Sequence, residues 1–417
     1  MDYVAGRGCT DGTSQTSCWI QPIHFDVGAS EMKIHFDRSC EPALLGLMRL
    51  PLELPKDETS YPTHVSLAGE GCGLLYLTSV ANKAGLARPQ DISRAEGLLS
   101  YLVDLIAERP LATGLFDGLP GIGLTISDMA AVFAEPLEPN ALDEVDDAIL
   151  AQLQEPKGAQ EFDLTFGLSG ILIYASLRAS VPSSLPTSPL LLQAYRQLLD
   201  VATDTGSLLF WKTRSDHSHR YPETLLQPGN ANLGLAHGNP GVLLALAHIA
   251  PLLPGVPVKD VARSLWSWIK AQRGADGHFP YIAGGPPGRM LGWCYGSLSV
   301  SVAAARSALL MQDAEMLSDA EEIALSAAAG YTPVRELGLC HGALGVACCF
   351  HSVAKATGNE LLMSEAEKWT KTAISTYVGA HGVINDKSLL TGSLGMSLCA
   401  AYLLGYSERW TIAFGLI

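Results

Sequence analysis

Charged and aromatic residues are scarce in this chain of 417 residues, at 17% and 7% of the total. Basic residues are the scarcer charge type: 27 Lys and Arg face 42 Asp and Glu, which gives a formal net charge of −15 and an isoelectric point near 5.1. Such an acidic chain disfavours nonspecific binding to nucleic acid or to anionic membranes. We therefore expect a peptide or small-molecule partner and no nucleic acid.

Targeting and membrane signals are also missing. No N-terminal stretch joins a basic region to an apolar core and a small-residue cleavage site. The longest apolar run, 242–256, contains His248, Pro251 and Pro254 and is shorter than the roughly 20 residues that cross a bilayer. The nine cysteines are spread out, unlike those of a secreted disulfide scaffold. These absences predict a cytoplasmic protein without a membrane span.

Hydrophobic residues are plentiful, at 48%, and a glycine pattern divides them into units. A glycine, two residues and a second glycine or small residue precede an apolar run in seven places, with Glu70 replacing the first glycine once. The copies end at Gly73, Gly121, Gly170, Gly241, Ser299, Gly345 and Gly395. They recur at roughly fifty residues, with two longer steps, which is the signature of a repeat architecture.

Each unit predicts a pair of helices. The apolar run after each glycine pattern has no polar face, whereas the stretches 91–108, 141–154, 258–272 and 360–377 have apolar residues at helical spacing and a polar face. Apolar helices belong to an inner ring and amphipathic helices to an outer ring. We therefore predict an all-α fold, an (α/α)7 toroid of seven helical hairpins with short irregular insertions.

The domain prediction follows from where the repeats begin. Residues 1–65 are expected to be an irregular lead-in that adds part of the outer ring, and residues 66–417 to form one toroid domain. The longest step between repeats indicates a small insertion near 176–230. Within it, residues 206–230 are predicted to form a loop that is either solvated or in contact with a peptide, because they contain basic and aromatic side chains: Trp211, Lys212, Arg214, His217, His219 and Arg220.

Three soft metal-ligand residues stand just before glycines of the pattern: Cys294, Cys340 and His341. The two cysteines are one repeat apart, so a toroid would bring them to the same mouth, the face formed by the turns that precede the inner helices. Two thiolates and one imidazole suit tetrahedral zinc and leave a fourth position for a ligand or substrate. The sequence therefore predicts one Zn²⁺ per chain.

The motifs around these residues resemble those of the lanthipeptide cyclases, the LanC family. The resemblance rests on Gly292-Trp293-Cys294-Tyr295-Gly296, Cys340-His341-Gly342, Gly234-Leu235-Ala236-His237-Gly238 and the turn 162–170, and it extends from about residue 66 to the C-terminus. It implies a toroid with central zinc. It also implies addition of peptide cysteine thiols to dehydroalanine or dehydrobutyrine, which forms lanthionine or methyllanthionine rings. The expected partners are a dehydrated precursor peptide with its leader, a separate dehydratase and an exporter.

Four further residues are candidate catalytic groups. His237 is expected to transfer a proton, as a general base or acid, and Asp163 to orient it or to move protons. Tyr295 is a candidate hydrogen-bond donor to an enolate oxygen. The family's arginine usually lies four residues before the first cysteine, where this chain has Met290, so Arg289 is the candidate. The alternatives are a structural histidine, a helix-capping aspartate and a packing tyrosine.

Other functions remain open at this stage. A noncatalytic LanC-like protein would bind zinc and a thiol such as glutathione, and a bifunctional synthetase would contain this chain as its cyclase domain. A stand-alone cyclase is favoured, because about 65 residues before the first repeat are too few for a dehydratase. Prenyltransferases and glycosidases also use α/α barrels. A prenyltransferase needs an Asp/Cys/His set and a glycosidase needs paired carboxylates, and neither class predicts the adjacent Cys340-His341 of this chain.

Overall fold

The structure, a computed structural model, describes residues 38–49, 62, 64–108, 111–132, 142–154, 161–179, 188–214, 224–331, 334, 336–379, 386–406 and 409–417. All of these belong to one compact unit, 31–417. Across these ranges, no helix combines the length and the hydrophobicity needed to span a bilayer.

Helices dominate the described ranges. They are α1 (Glu41–Arg49), α2 (Glu70–Lys83), α3 (Pro89–Glu108), α4 (Leu119–Val132), α5 (Asp143–Gln154), α6 (Leu168–Arg178), α7 (Ser188–Asp200), α8 (Asn239–Ile249), α9 (Val258–Lys270), α10 (Ser297–Met311), α11 (Ala314–Ala329), α12 (Ala343–Thr357), α13 (Glu360–Gly379), α14 (Ser393–Leu403) and α15 (Arg409–Ala413). Two short strands, β1 (Thr203–Asp204) and β2 (Leu209–Phe210), form one antiparallel pair.

The even-numbered helices from α2 to α14 form a closed inner ring. Each packs against the next, and α14 packs against α2. All eleven residues of α8 are buried, whereas α9 buries one face through residues such as Val258, Leu265 and Ile269. The odd-numbered helices from α1 to α13 therefore make the outer layer, and the predicted (α/α)7 toroid is confirmed.

The seventh hairpin joins the two ends of the described chain. Helix α1 packs against α14, buries Leu44, Leu47 and Met48, and accepts a hydrogen bond from Ser397 Oγ at Leu47 O, 2.7 Å away. Thus α1 is the outer partner of the last inner helix. It lies within 1–65, the segment predicted to add to the outer ring; most of that segment lies outside the described residues.

The C-terminal residues 409–417 fill the space inside the inner ring. Helix α15 contacts α4 and α6, and Trp410 and Phe414 are fully buried. From other sides of the ring, Ser352 Oγ and Tyr402 Oη donate to Leu416 O at 2.7 and 3.0 Å. The toroid therefore has a packed centre below its mouth.

The structure changes the interpretation of the predicted insertion. Within 176–230, α7 is a regular outer helix, and β1 and β2 are additions beyond it. Trp211 is 0% exposed, and its Nε1 donates to Leu198 O at 2.8 Å. A solvated or peptide-contacting role is therefore wrong for Trp211. Of the other five residues of that prediction, Lys212 and Arg214 are exposed, and His217, His219 and Arg220 lie outside the described residues.

Backbone hydrogen bonds link the seven turns at the mouth into a closed ring. In each turn an N–H donates to a carbonyl of the turn in the next repeat. The links are Ala68 N to Phe116 O at 3.0 Å, Phe116 N to Thr165 O at 3.1 Å, Thr165 N to Ala236 O at 3.2 Å, Ala236 N to Cys294 O at 3.5 Å, Cys294 N to Cys340 O at 3.2 Å, Cys340 N to Leu390 O at 2.8 Å and Leu389 N to Ala68 O at 3.2 Å. This turn ring fixes the positions from which the mouth side chains project.

We predict that Gly296→Ala destabilises the protein, because Gly296 has a φ of +95° and an added Cβ would collide with the carbonyl oxygen of Met290. The expected loss in the free energy of unfolding is about 1–3 kcal/mol, measured by urea denaturation followed by circular dichroism. Gly46→Ala in α1 is the control: its Cβ would meet open space, so stability should rise by roughly 0.5–1 kcal/mol. Equal stability of the two variants would contradict the prediction.

Candidate metal centre

The turn ring brings Cys294 and Cys340 together although they are far apart in the chain. The amides of Trp293 and Cys294 both donate to Cys340 O, at 2.7 and 3.2 Å. Below this turn, Trp293 Nε1 donates to Phe414 O at 2.7 Å, and the two rings pack with their centroids 4.9 Å apart. The C-terminal segment therefore supports the turn that presents Cys294.

The side chains of Cys294, Cys340 and His341, which we call the Cys–Cys–His group, converge on one point. Their ligand atoms all lie within 4.8 Å of one another, with Cys294 Sγ 3.9 Å from His341 Nδ1. Cys294 is buried, and the other two are partly exposed. Two sulfurs and one nitrogen at this spacing fit a tetrahedral metal ion that keeps one open position. The predicted ligand set is thus brought together and could hold a metal ion.

Electrostatic coupling favours one thiolate in this group. The hydrogen bond with Cys340 is the main cause that lowers the pKa of the Cys294 thiol to about 6; burial opposes this shift and His341 adds to it. The same hydrogen bond, together with burial, raises the pKa of the Cys340 thiol. The hydrogen bond to Cys294 also raises the pKa of His341. Opposite shifts on two adjacent sulfurs favour one thiolate beside one thiol, and a thiolate attracts a cation.

His237 and Asp163 form a buried pair at the same mouth. Asp163 Oδ2 lies 2.8 Å from His237 Nδ1, and Asp163 Oδ1 accepts from Phe166 N at 2.6 Å. The ring of Phe166 packs on the His237 imidazole, with centroids 5.2 Å apart. Asp163 therefore accepts from its own turn with one oxygen and holds His237 with the other. The helix-capping alternative is wrong, because the N-cap of α6 is Gly167, without a side-chain cap hydrogen bond.

The turn of His237 lies against the turn of Cys294. Ala236 N donates to Cys294 O at 3.5 Å, and His237 is near enough to contribute to the low pKa of the Cys294 thiol. The histidine and the Cys–Cys–His group therefore belong to neighbouring turns of one site.

Tyr295 and Arg289 make contacts outside the Cys–Cys–His group. Tyr295 is 7% exposed, and its hydroxyl accepts a hydrogen bond from Asn232 Nδ2 at 2.8 Å. Arg289 is exposed and pairs with Asp276, with 2.9 Å between Nη2 and Oδ2; its Nη1 also donates to Gly330 O at 3.4 Å. Tyr295 thus joins two turns of the mouth, and Arg289 binds a loop beside it.

A cavity of about 580 Å³ opens among the turns that precede α2, α4, α6 and α14. Its lining includes Phe116, Asp117, Phe166 and Lys387. Because Phe166 also packs on His237, the cavity lies beside the His237–Asp163 pair. It provides room for a chain longer than a single amino acid at this face.

Two residues of the site were missed by the sequence analysis. Asn232 is fully buried and also accepts from Gly234 N at 2.9 Å, so it shapes the turn before His237. Glu336 Oε2 lies 2.7 Å from His341 Nε2. A sequence signal existed for both: each is a polar residue five positions before the histidine of its turn, Asn232 before His237 and Glu336 before His341.

Comparisons with known proteins agree with this geometry. The family described as lanthionine synthetase C-like protein matches residues 65–414. Among solved structures, nisin cyclase aligns with a TM-score of 0.68 and 18% identity over 91% of this chain and 98% of that chain. A polysaccharide lyase aligns with a TM-score of 0.40 and 14% identity, over 80% of this chain and 98% of its own. A sugar epimerase from a ruminal bacterium gives 0.42 and 9%, over 87% and 98%.

No curated protein sequence matches the chain. At this low identity, the likeness to nisin cyclase shows a shared fold, the α/α toroid.

Proposed function

The chain belongs to the lanthionine synthetase C-like family, and we propose that it is a zinc-dependent lanthipeptide cyclase. In this reaction a peptide cysteine adds to a dehydroalanine or dehydrobutyrine of the same peptide and forms a thioether ring. One observation supports this proposal above the others: the Cys–Cys–His group and the His237–Asp163 pair lie on neighbouring turns of one mouth.

The donor set suits zinc with an exchangeable ligand. Cys294, Cys340 and His341 would hold the ion and leave a fourth position. When bound, zinc supplies the acidity that converts a substrate thiol, with an ordinary pKa of about 8.5, into a thiolate at neutral pH. The sulfurs of Cys294 and Cys340 would donate charge to the ion and so would keep a substrate thiolate reactive.

His237 is the proposed proton-transfer residue. A carboxylate only accepts hydrogen bonds, so the Asp163 contact places a proton on His237 Nδ1 and makes Nε2 the nitrogen that exchanges protons. The imidazole takes the thiol proton at Nε2. The sulfur bonds to the β-carbon, the π electrons of the double bond pass to an enolate, and His237 returns the proton to the α-carbon. A positioned acid of this kind increases the rate roughly 10²–10⁴-fold.

Tyr295 and Arg289 are proposed to assist. The Tyr295 hydroxyl, which accepts from Asn232, is the proposed hydrogen-bond donor to an enolate oxygen. Arg289, exposed at the neighbouring loop, takes the place of the family arginine. The cavity beside Phe166 would receive the part of the peptide next to the reacting residues.

The proposed partners follow from the reaction. The substrate is a dehydrated precursor peptide that retains its leader, made by a separate dehydratase and released through an exporter. A cytoplasmic location fits the seven cysteines of the described ranges, which all have free thiols, as a reducing compartment maintains them.

Incubation with a dehydrated precursor peptide tests the activity directly. Ring formation leaves the mass of the peptide unchanged and removes free thiols, so we expect fewer alkylated cysteines by mass spectrometry after incubation with the protein than without it. Unchanged alkylation would exclude cyclase activity on that peptide. If the protein nevertheless contained zinc, the noncatalytic zinc- and thiol-binding function would then be favoured.

We predict that Cys340→Ala loses most of the bound zinc, because it removes one of three ligands. Elemental analysis of the purified protein should give about one zinc per wild-type chain and far less in the variant. Cys348→Ala is the matched control, since Cys348 is a buried thiol on α12 that lies outside the group, and it should retain zinc. Full zinc content in Cys340→Ala would refute the proposed ligand set.

We predict that His237→Ala retains zinc and slows ring formation by roughly 10²–10⁴-fold. Asp163→Asn should also slow the reaction with zinc retained, because the amide no longer fixes the His237 tautomer. Both rates would be measured by timed alkylation. Loss of zinc from His237→Ala would show that this histidine supports the metal centre instead.

A further inference from the structure

The imidazole of His341 lies between two different partners. Its Nδ1 faces Cys294 Sγ at 3.9 Å, and its Nε2 lies 2.7 Å from Glu336 Oε2. The ring therefore has one nitrogen toward the Cys–Cys–His group and the other toward a carboxylate.

The chemistry of the carboxylate determines what each nitrogen does. An ionised glutamate can only accept a hydrogen bond, so Nε2 must be the protonated nitrogen. In neutral imidazole the lone pair is then on Nδ1, which is the atom beside Cys294. The opposite tautomer has no lone pair on Nδ1 for a metal ion and leaves the Nε2 lone pair against the carboxylate.

The backbone of Glu336 is fixed in the same turn. Its carbonyl accepts a hydrogen bond from Ala343 N at 2.8 Å, at the beginning of α12. The glutamate is thus held at the base of the helix that follows His341, and its side chain reaches back to the imidazole.

Stabilisation of the fold does not explain this contact. The Glu336 side chain is 60% exposed and that of His341 is 33% exposed. Exposed pairs of this kind contribute little to folding. Metal-binding histidines, in contrast, usually donate their second N–H to a carboxylate or carbonyl, which fixes the tautomer and strengthens binding.

We propose that Glu336 is a positioning residue that holds His341 in the tautomer and orientation that present Nδ1 to a metal ion. This inference rests on the proposed function in one respect, that the Cys–Cys–His group binds zinc. Glu336 itself makes no bond to the metal.

Zinc affinity is the direct measurement. Competition with a chromophoric chelator should show that Glu336→Ala and Glu336→Gln bind zinc about 10–100-fold more weakly than the wild type. The loss should be smaller for Gln, because its carbonyl oxygen still accepts from Nε2–H. Glu322→Gln is the matched control: Glu322 is 70% exposed and pairs with Arg273, so its loss should leave the affinity unchanged.

Two measurements separate positioning from general stability. The metal-free forms of wild type and Glu336→Gln should have the same melting temperature, since the pair is exposed. In the zinc-loaded wild type, ¹⁵N NMR should show a proton on His341 Nε2. Wild-type zinc affinity in both Glu336 variants, or a proton on Nδ1 in the zinc-loaded wild type, would overturn the proposal.

Failure of the proposed function would look different. If the wild-type protein bound no zinc, the metal centre and this inference would fall together. If the wild type bound zinc and both Glu336 variants bound it equally well, only the role of Glu336 would be lost.

Discussion

The turn ring is the constraint on which the site depends. A hairpin repeat by itself specifies helices, but it does not specify where side chains of separate repeats meet. The hydrogen bonds from turn to turn do so, because they fix each turn against the next by its backbone. We call the residue of each turn that takes part in these hydrogen bonds the ring position. Chemistry at the mouth then depends on which residues stand at the ring position and just after it. Two consecutive turns have cysteine at the ring position, Cys294 and Cys340, and this adjacency brings together the Cys–Cys–His group, which could hold a metal ion.

The toroid also needs its centre filled and its ends joined. Seven helices around one axis leave a central space, and residues 409–417 occupy it with Trp410 and Phe414 fully buried. The same segment accepts the Trp293 indole N–H, so the packing of the core and the position of Cys294 are linked. Helix α1 closes the outer layer against α14. Closure of the ring and support of the site therefore both depend on contacts between distant parts of the chain.

Local signals in the sequence were sufficient for the helices and for the choice of the two cysteines and the histidine that the fold brings together. Glycines at the helix starts and the contrast between apolar and amphipathic stretches are short-range features. Helices α6, α8 and α12 begin at the glycine motifs from which they were predicted. Nonlocal packing was not predictable in this way. The composition around Trp211 indicated an exposed loop, yet its side chain enters the core. The partner of α14 and the filling of the centre have no local signature.

The two histidines of the mouth show how similar positions acquire different tasks. His237 and His341 each stand one residue before the glycine that caps an inner helix, and each pairs with a carboxylate. Asp163, from the preceding repeat, bonds to Nδ1 of His237, whereas Glu336, from the same turn, lies against Nε2 of His341. The first contact leaves Nε2 for the proposed proton transfer, and the second leaves Nδ1 facing Cys294. The ring nitrogen that the carboxylate contacts thus distinguishes the proposed acid–base residue from the proposed metal ligand.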